Sequence, residues 1–340
     1  MAPEAQEQVL EPYPLYNTTF NLHRVSPLYI GTDPLDNVAL QQHAKRFRDI
    51  LVGDVLRGVR VGLGPEDDML ARVGALKSVT WQVLVEEDSW NMNDGTTADT
   101  SMGLGAGKGI LVQVSYEKMN YRALLLRVSG HDESILEVEQ EGFRHFPLLL
   151  TRMPASLREA FTDFLATTFD ARVAALHLSG PNLTSTFEKY ISDCCIGEDG
   201  EQADLVESSR TLRKVVRDVR VLIGFDFPTT NSLRTIEFQI AQEDIPRLVQ
   251  RGKKIGNQES PFMNALSSFV KAHLALNMEH ERIQILRIAC GAFVLGAEGR
   301  VKLTEPPEID TAQTRSTWSL VGGLFGIAKG GKLSAGKDVT

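Results

Sequence analysis

Gly103, Gly105, Gly107 and Gly109 surround Lys108 in the segment MGLGAGKGIL, and glycines beside a lysine are the residue types that cradle phosphates. The phosphate loop needs four residues between its first glycine and the Gly-Lys pair, followed by Ser or Thr to order magnesium. Here Gly103 and Gly107 enclose only three residues, and Lys108 is followed by Gly109. A polar stretch precedes the segment and a strand-like run follows it, the reverse of a dinucleotide-binding turn. The reading is a surface loop; a nucleotide-binding enzyme built on 103–109 is the weakest alternative.

Other reactive side chains fare no better. Cys194 and Cys195 are adjacent, without the two-residue spacing of a zinc knuckle, and Cys290 lies in an apolar run where burial is the default. The seven histidines are dispersed; His273 and His280 have no matching cysteine or carboxylate pattern. Ser129, His131 and Asp132 share one turn, too close in sequence to face one another as a triad, and no Gly-x-Ser-x-Gly elbow occurs. No residue is assigned a catalytic, cofactor-binding or metal-binding role.

The basic stretch carries more. Arg210, Arg213, Lys214, Arg217 and Arg220 fall close together, opposed only by Asp218. On a helix the first four would share a broad face able to meet phosphate oxygens; on a strand they would divide between two faces. A solvated or partner-contacting surface is one reading, and a nucleic-acid-binding module using 210–220 is the alternative.

Elements must position these groups. Residues 13–31 read as a strand that turns at Ser26-Pro27, and Asp36 or Asn37 can cap a helix over 38–52. Period-two runs at 59–63, 78–86, 110–116 and 121–128 predict strands, with a hairpin at 117–120. Helices are expected at 154–169, 183–192, 243–250 and 262–277, and strands at 171–178, 232–241, 283–295 and 300–303. Strands linked by hairpins and occasional helices make an α+β protein rather than a doubly wound sheet. The acidic break at 197–204 divides an N-terminal region, 13–196, from a C-terminal one, 205–304. Glycines within WSLVGGLFGIA suggest that 305–340 is a flexible tail.

Bulk properties narrow the class. With 44 acidic against 36 basic side chains the formal net charge is −8, so nothing draws the whole chain toward nucleic acid. Three cysteines form no disulfide framework and suit a reducing compartment. Neither a signal peptide nor an apolar run of about 18 residues stands out, so a membrane role is not expected.

The segment Tyr13-Pro14-Leu15-Tyr16-Asn17-Thr18-Thr19-Phe20, continuing Leu22-His23-Arg24-Val25-Ser26-Pro27-Leu28-Tyr29, resembles the start of the centromere protein L family. It looks particularly like the fungal members, subunits of the Sim4-type inner kinetochore complex. The resemblance implies a large curved, mostly antiparallel sheet with packed helices, no catalytic activity and no cofactor. It also implies a nuclear location at the centromere and kinetochore, and pairing with a structurally related centromere protein N subunit within the constitutive centromere-associated network. The joint surface would add basic contacts to centromeric DNA or the nucleosome. On this expectation the strands at 283–295 and 300–303 form the partner-facing edge, with Ile283, Ile285, Ile288, Phe293 and Leu295 at the contact. Tyr16, Phe20, Leu28 and Tyr29 read as core.

Overall fold

Two stretches of alternating apolar residues, one near each end of the chain, decide the architecture by pairing with each other. The computed structural model describes residues 12–32, 35–56, 73–90, 107–127, 142–197, 200–226, 233–255, 259–307 and 311–330. Strand β1 (Thr19–Val25) lies beside β7 (Leu148–Arg152) on one edge, with Leu22 opposite Leu150. Its other edge is shared by β13 (Arg300–Leu303), with Phe20 opposite Val301, and β8 (Val173–Ala175), with His23 opposite Ala175.

From that junction the sheet grows both ways. Beyond β7 come β5 (Asn120–Leu126), β4 (Gly109–Tyr116) and β3 (Leu76–Leu84); beyond β13 come β12 (Phe293–Gly296), β11 (Ile283–Ala289), β9 (Val219–Phe225) and β10 (Thr235–Ile240). Among the described residues this gives eleven antiparallel strands in one sheet, while β2 (Leu28–Tyr29) and β6 (Phe143–Arg144) form a separate small pair. The α+β reading with a large antiparallel sheet holds. The two expected regions, 13–196 and 205–304, contribute strands to this single sheet, and the helices on either side of the 197–204 break pack against each other. The run expected at 59–63 lies outside the described residues, as do Ser129, His131 and Asp132.

Helices cover the sheet unevenly. On one face of the N-terminal half, α1 (Asn37–Leu56) places Leu40, Ala44, Phe47 and Leu51 over the strands. The Asp36 carboxylate accepts from the Ala39 N–H at 2.8 Å, the N-cap its position suggested. Glu87–Trp90 is a single turn, α2. Helix α3 (Ala155–Phe169) buries Leu157, Phe161, Phe164, Leu165 and Phe169 as expected, the phenylalanines packing around Trp81.

The opposite face is covered by α4 (Gly180–Cys194), α5 (Leu205–Val215), α6 (Ile245–Ile255), α7 (Pro261–Leu274) and α8 (Ala312–Gly330). Buried Glu188 of α4 accepts the Met263 N–H at 2.8 Å and thereby caps α7. Burial pushes its carboxyl up to about 7, against the Met263 and Phe262 amides, which pull it down.

The flexible tail expected at 305–340 is corrected over 312–330, which form α8. Leu320, Val321, Leu324, Phe325 and Ala328 are buried at helical spacing against the body, and that burial outweighs the low propensity of the glycines. Gly322 and Gly326 are exposed, and a Cβ at either meets open space. Residues 331–340 lie outside the described residues.

Gly322→Ala and Gly326→Ala should therefore each raise stability by about 0.5–1 kcal/mol in urea unfolding. A flexible tail would show no change.

Candidate functional site

Three features could carry recognition: the two free ends of the sheet, the faces left uncovered by helices, and the cationic residues around them. The expected partner edge is the first to be tested by geometry. Strand β11 is flanked by β9 and β12, and β12 by β11 and β13, so their ladders are filled from within the chain. Ile288, Phe293 and Leu295 are fully buried, and Ile283 and Ile285 are partly buried against the same core. The edge reading for 283–303 is thus corrected: continuous apolar runs there reflect burial inside the sheet rather than a rim awaiting another chain. The strand path ends at β10 and β3. On β10, Thr235, Glu237 and Gln239 are exposed, and only β9 pairs with it among the described residues.

The basic stretch divides. Asp204 caps α5 by accepting the Glu207 N–H at 2.7 Å, and Leu212 and Val215 face the core. Arg210, Arg213 and Lys214 consequently share the exposed side of that helix. Arg217 is also exposed but holds a left-handed backbone (φ 52°), and its aliphatic stem lies over Gly291, whose N–H donates to the Val216 carbonyl at 2.7 Å. Arg220 has passed onto β9, where Val219, Val221 and Ile223 point to the helices and Arg220 to the other face. The five cations do not form one surface; the helix reading holds for three of them.

Arg220 instead joins an open sheet face that sequence reasoning missed. Cross-strand register sets Arg220 opposite Ala289, and sets Arg287, Gly296 and Arg300 in successive strands on that same side, with Lys302 two residues further along β13. Arg220, Arg287, Arg300 and Lys302 are all exposed. Glu237 answers one of them, with its carboxylate 3.4 Å from Arg287. The missing signal was long-range: β9, β11 and β13 meet only through the sheet order.

Lys108, the lysine of the glycine loop, is engaged elsewhere. Its ammonium is 3.1 Å from Glu86 and lies 5.0 Å from the centre of the Trp318 ring. Beside it, Glu87 accepts from the Tyr16 hydroxyl at 2.5 Å and from the Trp318 indole N–H at 2.6 Å. Burial raises the Glu87 carboxyl, and these two donors draw it back down. The Tyr13 hydroxyl donates to the Val85 carbonyl at 2.9 Å, and its ring meets those of Trp90 and Trp318 edge-on. This cluster fastens the opening motif and α8 to the end of β3, so Lys108 has a structural post rather than a phosphate to hold. Gly103 and Gly105 lie outside the described residues.

The thiols are likewise placed for packing. Burial pushes Cys194 up to about 12 and Cys290 up to about 11, far from the thiolate needed for nucleophilic or metal chemistry at neutral pH. No group of three or more potential metal ligands occurs among the described residues. No helix there is long and apolar enough to cross a membrane.

No curated protein matches the chain. The family model described as Centromere protein L matches residues 14–328, from the opening motif through the docked C-terminal helix. That span takes in every strand of the large sheet, and the chain belongs to the centromere protein L family.

Proposed function

We infer that this chain is a non-enzymatic assembly subunit of the inner kinetochore, acting in the nucleus at centromeric chromatin to support chromosome segregation. Its family membership over residues 14–328 is the observation that carries this reading. The fully engaged Lys108 and the buried, strongly protonated thiols favour a scaffold over a catalyst. In this reading the chain pairs with a centromere protein N relative and, through it, with other subunits of the constitutive centromere-associated network.

Pairing by strand addition needs an edge with unfilled backbone groups. The partner-binding role first given to Ile283, Ile285, Ile288, Phe293 and Leu295 therefore passes outward to β10, beyond β9. Those five residues hold β11 and β12 in place behind that edge.

Contact with DNA is a second reading, favoured by the four cations on the open sheet face. Spread over β9, β11 and β13 they offer a broad positive surface, on a chain whose total charge is −8. Such a surface suits a composite site completed by a partner, because counterion release scales with the phosphates neutralised.

Co-expression with a centromere protein N relative should yield a one-to-one species in which amides 235–240 exchange more slowly than in the free chain. A complex without protection there would move the pairing elsewhere; no complex at low salt would reject the assembly reading. For that pair, Arg300→Glu with Lys302→Glu should weaken duplex DNA binding and make the salt slope shallower by about 2. An unchanged slope would remove the open face from the DNA surface.

A further inference from the structure

Leu205 and Val206 stand 69% and 77% exposed at the start of α5, the highest values among the large hydrophobic residues that are described. Leu205 lies two helical turns before buried Leu212 on the same stripe, so the helix carries its apolar line past the edge of the body. A groove between α5 and α6 runs along this overhang. Its apolar end is formed by Leu205 and Val206, its flank by Arg210, Arg213 and Lys214, and its far wall by Gln242 and Gln250. Among the described residues no carboxylate lines it. Acids stand at its margin: Glu243 accepts from the Gln242 side chain at 3.2 Å and interacts with Arg213, and Asp218 accepts the Gln242 N–H at 3.2 Å.

The geometry points to this groove as the docking site for a short acidic peptide segment of a partner protein, with one or two apolar side chains covering Leu205 and Val206. Charge complementarity selects the acidic character: three cations on one helix face, with no acid among the described lining residues, would meet Asp or Glu side chains. The apolar pair selects peptide over duplex, because a sugar–phosphate backbone offers nothing to bury against Leu205 and Val206. Two glutamine amides strengthen that choice. Each can both donate and accept, as a peptide main chain requires, whereas phosphates only accept. The site goes beyond the assembly reading and fails independently of it, since pairing at β10 can stand while the groove binds nothing.

The test is selection of a random phage library of peptides about 12 residues long on the full chain, followed by anisotropy with the enriched peptides and with a DNA duplex. Enriched sequences should place Asp or Glu beside apolar residues. Leu205→Ser with Val206→Ser, and separately Arg213→Glu with Lys214→Glu, should each weaken the enriched peptides by about tenfold or more. All four side chains are exposed, and unchanged thermal melts would verify that both variants remain folded. Absence of enrichment, or enriched peptides that bind both variants like the parent, would overturn the assignment. Duplex binding lost with the charge pair but kept with the apolar pair would overturn it in favour of nucleic acid. Self-association lost with the apolar pair would overturn it in favour of a second copy of this chain.

Discussion

Strand β1 is hydrogen-bonded along both edges to strands that come much later in the chain, and both halves of the sheet hang from it. On one side it meets β7, the inner strand of the N-terminal half; on the other it meets β13, the last strand of the C-terminal half. Its side chains serve two cores at once: Phe20 and Leu22 go to the face shared with α4 and α8, and Val25 goes to the face under α1 and α3. A one-residue slip of this strand would exchange those faces. The register is pinned at Gly299, whose carbonyl accepts the Leu22 N–H at 2.7 Å. Its φ of 80° suits glycine, and any Cβ there would collide with the Leu176 carbonyl.

The Glu87 cluster reinforces the same junction from the side. It links residues at the beginning, near the first quarter and at the end of the sequence through Tyr16, Glu87 and Trp318. Removing the carboxylate would leave two sheltered donors without their acceptor, which costs more than the bonds' net worth in water. Such a closed junction leaves β10 as the accessible end on the C-terminal side, and it leaves the outer side of α5 and the open sheet face for other surfaces. The surfaces proposed for assembly and DNA contact adjoin at β10, whose Glu237 meets Arg287 of the open face.

Much of the local structure was legible in the sequence. The apolar stripe of α3, the Asp36 cap and the Trp81 strand follow from short-range spacing and side-chain chemistry. Tyr16 and Phe20 are core residues as read, although Tyr29 is half exposed. What escaped depended on tertiary pairing. The run 283–303 looked like an edge because its residues are apolar and β-branched, properties an interior strand shares. Residues 312–330 looked loose because glycine disfavours isolated helices, yet the glycines at 322 and 326 fall on the outer side while the leucines fall inward. Leu205 drew no reading in the sequence; its 69% exposure at the start of α5 emerges only from the fold.

The central claim is that β1 fuses the two halves into one cooperative unit, so that an event at β10 is felt by the whole sheet. Native-state hydrogen exchange in rising urea tests it directly, by comparing amides of β4 with those of β9. With β1 intact, both sets should merge into a single global opening with one free energy and one urea dependence. Separate opening of β9 while β4 stays protected would contradict it.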